Sequence, residues 1–116
     1  MPLKHATNAQ RMELPSMNVL GTQAFLADVH TSKDSAKPIT CGFFRMESGT
    51  PLVYDYNYEE MKVIVEGEMV ISDETGQTVE AKPGDVFYFA KGSRITFASP
   101  TYGIGFFCGQ RHFGEA

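Results

Sequence analysis

Seven side chains carry most of the chemistry this chain could do: Arg45, Tyr54, Tyr56, Tyr58, Glu60, Lys62 and Tyr88. In LVYDYNYEEMK the tyrosines alternate with Asp55 and Asn57, so Tyr54, Tyr56 and Tyr58 share one face of an extended segment. Glu60, Lys62 and Ile64 then alternate on one face, with Met61, Val63 and Val65 on the other. If Glu60 points inward, Lys62 follows it, and each favours the charged form of the other. Glu60 beside Tyr56 would be a general acid or base with an electrophilic hydroxyl. Arg45 and Lys62 would bring positive charge to an anionic ligand, while Tyr54, Tyr58 and Tyr88 would bring hydroxyls and aromatic walls. Alternation alone fits the opposite arrangement equally well, an edge strand with its charges and tyrosine tips in water.

These residues need strands to hold them. Glu59–Gly92 reads as three antiparallel hairpin steps, each with its own turn chemistry. Glu66-Gly67-Glu68 leaves room only for a sharp reversal or kink, with Gly67 able to take a positive φ. Asp73-Glu74-Thr75-Gly76 fits a type I turn with a G1 bulge, and Pro83-Gly84 a type II turn. Short strands, regular turns and no helical period predict an all-β sandwich or barrel.

The rest of the chain agrees. Val19–His30 has the residue types of a first strand, interrupted by Gly21, and Ile39–Glu47 of a second. In the second, Cys41, Phe43 and Arg45 face one way and Thr40, Phe44 and Met46 the other. Further strands are predicted over 68–73, 77–82, 86–90 and 94–98. The last, Gly103–Gln110, carries glycines that suggest coiling or close backbone approach. The domain plan is an arm over 1–18, a barrel over 19–110 and a polar tail over 111–116. Cys41 and Cys108 lie in apolar runs and read as small buried core residues.

With 116 residues and 42% hydrophobic content, the chain can bury one core without disulfides or metal. A net charge of -4 argues against nucleic acid as a partner. No apolar run approaches the roughly 20 residues of a membrane span, and 1–16 lacks the apolar centre of a secretion signal, so the expected location is cytoplasmic. His5, His30 and His112 show no metal-ligand spacing. Asp55 and Glu60 with a distant histidine are the one carboxylate-based candidate for a hard cation.

GDVFYFAKG, preceded by an acid seven positions before Gly67, resembles the two-part cupin signature. Glu60 and Gly67 match the end of its first half, and Gly84 and Gly92 match the second. The Tyr-acid-Glu run with its EGE turn is more closely similar to the cupin domain of ethanolamine-utilisation protein Q, over most of Ala27–Phe107. The resemblance implies a small antiparallel jelly-roll barrel, an inward Glu60 and a homodimer. Of the four usual cupin metal ligands, only Glu60 is matched. The histidine positions of the first half fall on Tyr54 and Tyr56, or on Val53 and Asp55 with the longer spacing, and that of the second half on Ile95. No metal or other cofactor is therefore expected. The family has been linked to acetate kinase activity, but a GxxxxGK[ST] loop is absent and Gly103-x-Gly105 lies within a strand.

The expected function is a metal-independent cupin of small-molecule metabolism that binds or acts on a small polar or anionic metabolite. Whether it is an enzyme stays open. An ethanolamine-utilisation-like auxiliary enzyme would use Glu60 and Tyr56 as catalytic residues and Arg45, Tyr54, Tyr58, Lys62 and Tyr88 to bind ligand. The alternative is a non-catalytic binding or scaffold cupin. The arm residues Leu3, Met12 and Leu14 have no evident place in so small a barrel, which also predicts a homodimer.

Overall fold

The structure, a computed structural model that describes residues 2–116, contains nine strands: β1 Ala24–Thr31, β2 Thr40–Glu47, β3 Leu52–Asp55, β4 Glu60–Gly67, β5 Met69–Asp73, β6 Thr78–Ala81, β7 Val86–Phe89, β8 Arg94–Ala98 and β9 Tyr102–Gly109. They form two antiparallel sheets, ordered β1-β2-β9-β4-β7 and β3-β8-β5-β6. The sheets face each other as a jelly roll, the layout that keeps exposed edges short. Alternation is clear on β2, where Thr40, Gly42, Phe44 and Met46 are buried and the residues between them are not. Phe44, Phe97, Phe107, Ile64 and Met69 fill the space between the layers. Each such side chain contributes about 1.5–3 kcal/mol by leaving water.

The middle turn is the hairpin that its sequence predicts. Gly76 has φ 93°, its N–H donates to Asp73 O at 3.2 Å, and β5 pairs with β6. The other two turns carry the chain from one sheet to the other, because β4 and β5, like β6 and β7, lie in different sheets. Gly67 takes φ 69°, and a Cβ there would collide with the Tyr102 carbonyl, so only glycine allows the kink. Lys82-Pro83-Gly84-Asp85 is a closed turn with Gly84 at φ 96°.

Three expectations are corrected. The first strand begins at Ala24, since Gly21 at φ 80° belongs to a preceding turn. Neither cysteine joins the core: Cys41 is half-buried and Cys108 exposed, because the inward positions of β2 and β9 fall on their neighbours. The polar tail opens with Arg111, which is buried in an ion pair. The arm lies against its own barrel: Leu26 N–H donates to Pro15 O, Ser16 bridges Phe25, and Gln10 bonds Glu66.

Candidate functional site

β4 places Glu60 and Lys62 inside the barrel, both side chains 3% exposed, with Glu60 Oε2 3.3 Å from Lys62 Nζ. The inward face follows from Ile64, fully buried two residues on, while Met61 on the other face is exposed. Tyr56 donates its hydroxyl to the same Glu60 oxygen at 2.5 Å. Lys62 Nζ also lies 4.4 Å from the ring centroids of both Phe44 and Phe97. A desolvated ammonium gains about 2 kcal/mol or more from such faces. Gly105 makes room for the lysine stem, since a Cβ there would sit 3.1 Å from Lys62 Cγ and Cδ.

The tyrosines close this interior. Their rings pack edge to face, Tyr54 with Tyr56 at 4.7 Å and Tyr56 with Tyr58 at 5.4 Å. The Tyr54 and Tyr58 hydroxyls meet at 2.9 Å. Met17 and Leu26 complete the cover over a cavity of only about 10 Å³. That is the space of about one water.

Burial raises the Tyr56 hydroxyl well above the ordinary phenol range, and the Glu60 charge raises it further. Tyr56 is therefore a neutral donor throughout the physiological range. Burial pulls the Lys62 ammonium below the usual lysine value, with Glu60 opposing it. Beside this cluster, Arg111 makes a bidentate pair with Asp28 at 2.7 and 2.9 Å, and its guanidinium lies 5.4 Å from the Tyr58 ring. Asp28 also accepts the Gly114 N–H at 2.7 Å.

Of the seven residues singled out, the structure brings together Tyr54, Tyr56, Tyr58, Glu60 and Lys62 and leaves two outside. Arg45 stands on the outer face of β2, bonded to Glu47 at 2.7 Å and lying over the Tyr102 ring at 4.5 Å. There its charge stays solvated, whereas the inward positions beside it hold Phe44 and Met46. Tyr88 is 58% exposed and donates to Glu59, because Phe89 takes the inward position of β7. Phe44, Phe97, Asp28 and Arg111 were not assigned to the site from sequence. Inward alternation pointed to Phe44, but no spacing links Asp28 to a residue 83 positions away.

The residues do not suit the metal that the fold commonly holds. Glu60, the one retained ligand, is already engaged by an ammonium and a hydroxyl. Ile95 is apolar and sits opposite Tyr54 across β3 and β8. Asp55 is exposed and paired with Arg94 at 2.7 Å, away from Glu60. Among the described residues no three His, Cys, Asp or Glu side chains cluster as a metal site.

Two facing antiparallel sheets closed as a jelly roll, with an inward glutamate on β4, define a cupin. The chain belongs to the family described as Ethanolamine utilisation protein EutQ, whose model matches residues 4–108. It is 36% identical over 76 residues to acetate kinase EutQ of Salmonella typhimurium, covering 66% of this chain and 32% of that protein. It thus spans about a third of the length of that curated relative. The crystal structure of ethanolamine utilization protein Q from Salmonella typhimurium superposes with a TM-score of 0.69 at 28% identity, covering 84% of this chain and 77% of the other. A cupin superfamily protein from Desulfitobacterium hafniense shares the fold alone, with a TM-score of 0.67 at 16% identity over 97% of this chain and 95% of the other. No helix among the described residues is long and apolar enough to cross a membrane.

Proposed function

We propose that this cupin works without a metal in ethanolamine-related small-molecule metabolism, binding a small polar or anionic metabolite where the tyrosines cover the barrel. The observation that carries this reading is the buried Tyr56–Glu60–Lys62 cluster. Such an arrangement is costly to bury and holds a proton donor, a carboxylate and a cation in fixed positions. In an enzymatic cycle Glu60 would take or return a proton, Tyr56 would donate a hydrogen bond to the developing oxyanion, and Lys62 would balance charge. Tyr54 and Tyr58 would part to admit the ligand, since the closed cavity is too small for one. Arg45 and Tyr88 are withdrawn from the ligand-contacting set. The location proposed is the cytoplasm.

Titration of the labelled chain with ethanolamine, acetate and acetyl phosphate, followed by NMR, tests the reading. Saturable shifts should centre on Tyr54, Tyr56, Met17 and Glu60, and should vanish in Tyr56→Phe. The small cavity supports a second reading, a non-catalytic scaffold cupin. That reading would stand if no resonance of the cluster moves with any ligand at millimolar concentration.

The dialysed protein is expected to carry no stoichiometric transition metal, because Ile95 is apolar and Lys62 occupies Glu60. Near-equimolar iron, manganese, nickel or zinc by elemental analysis would overturn this. A homodimer is the expected assembly. The arm covers part of its own sheet, yet leaves Leu3 85% and Met12 38% exposed. Light scattering should give two chain masses at micromolar concentration, and one mass would refute it.

A further inference from the structure

The two cysteines face each other across the middle of the five-stranded sheet. Cys41 of β2 stands directly opposite Cys108 of β9 in an unbroken register. The same register continues to Ser48, whose N–H donates to Thr101 O at 3.0 Å, which marks that step as a hydrogen-bonded pair. Bonded and non-bonded pairs alternate along an antiparallel ladder. Cys41 and Cys108, an odd number of steps away, are therefore a non-hydrogen-bonded pair. The neighbouring strand agrees: Gln110 N–H donates to Glu59 O at 2.8 Å, which turns the Cys108 backbone bonds toward β4 and away from β2. Non-hydrogen-bonded partners have Cα atoms about 4.5 Å apart with side chains close together. A disulfide needs Cα atoms about 4.4–6.8 Å apart, so the bond forms here without moving the sheet.

Both thiols lie on the outer face, since Thr40, Gly42, Phe107 and Gly109 take the inward positions beside them. Cys108 is exposed and opens onto a surface depression of about 330 Å³ lined also by Ile39, Glu59, Met61, Tyr88 and Gln110. Cys41 is half-buried behind it. One thiol can thus meet a reagent from solvent while the other stands opposite it on the neighbouring strand.

We propose that Cys41 and Cys108 form a reversible dithiol–disulfide site, closed by exchange with a low-molecular-weight disulfide of the glutathione class. In the first step the Cys108 thiolate attacks the reagent, forms a mixed disulfide and releases one reagent thiol. In the second the Cys41 thiolate attacks the Cys108 sulfur, closes the cross-strand bond and releases the other thiol. Two electrons pass from the cysteines to the reagent, and the two cysteine protons end on the released thiols. Burial, followed by the nearness of Cys41 and Glu60, raises the Cys108 thiol above its ordinary value. This suits slow equilibrium exchange rather than rapid attack on peroxide. Disulfides inside cells are typically transient and redox-sensing, and a cross-strand bond with one sulfur open to solvent is of that reducible kind.

The test incubates the full chain with graded ratios of oxidised to reduced glutathione, quenches with acid, alkylates under denaturing conditions and reads the intact mass. A monomeric species that takes no alkylating group should grow with the oxidised fraction, and dithiothreitol should return it to a doubly alkylated form. Cys41→Ser should stop at a glutathione adduct on Cys108, while Cys108→Ser should stay largely unmodified over the same time. The proposal is overturned if wild type remains doubly alkylated at every ratio, if it accumulates the glutathione adduct, or if it links two chains through Cys108. Equal modification of the two variants would refute the order of attack.

Discussion

Glu60→Gln should destabilise the protein by about 2–4 kcal/mol at neutral pH. The substitution keeps size and can keep a bond to Tyr56, but it removes the charge facing a lysine that is 3% exposed. The aromatic faces of Phe44 and Phe97 offset only part of that loss. The pH dependence follows from the sign of the lysine shift. Lys62 has a lowered value in the fold, so the folded state binds fewer protons there than the unfolded state in the window up to 10.5. Stability from this group therefore rises with pH across that window and is lost as pH falls through the folded value. Without Glu60 the window widens, and the variant should regain part of its stability on going from about pH 7 to about pH 10. Adding Lys62→Met should restore much of the midpoint, because the stranded cation is then gone. Denaturant midpoints for the two single variants and the double variant check this. An unchanged midpoint in Glu60→Gln would sink both the internal pair and the function built on it.

Asp28→Asn should cost about 3–5 kcal/mol, the usual penalty for leaving one partner of a buried pair uncompensated. The Arg111 guanidinium is as enclosed as its partner, both side chains being 3% exposed, and its Nε already lacks a hydrogen-bond acceptor among the described residues. Loss of the carboxylate would also weaken the anchoring of Gly114, which holds the chain end on β1. Burial alone would raise the Asp28 carboxyl, but the hydrogen bonds from Arg111 and Gly114 and the arginine charge outweigh it, and the net value lies below 3.8. A depressed carboxylate contributes stability that is complete above its unfolded value and is lost as pH falls through its folded one. Wild type should therefore lose more stability than Asp28→Asn between about pH 5 and about pH 2. Urea titrations at both pH values give the comparison, and parallel losses in the two proteins would refute the assignment.

Much of the fold was legible because its signals are local. Gly67, Gly76 and Gly84 all adopt the positive φ that their turns require. Alternation correctly kept Glu60, Lys62 and Ile64 on one face, since the period of two is a property of a single strand. The tyrosines meet for another reason: β3 ends at Asp55, and the bend after it packs the Tyr56 and Tyr58 rings against Tyr54. The same rule separated Arg45 from Phe44 on β2, but it could not say which face is the interior. That choice depends on which side meets the second sheet, and the large apolar side chains took it, leaving Arg45 and Tyr88 in contact with water. The turns after β4 and β6 were recognised, but whether the chain then paired back or crossed to the other sheet depended on strand order. Asp28 with Arg111, and Cys41 with Cys108, meet only because β1, β2 and β9 lie side by side. Sequence separation hides such pairs, and their energy comes from desolvation and register that exist only once the sheet has formed. The closed interior has the same origin: residue types named a mouth of tyrosines, and three-dimensional packing decided that their rings seal it.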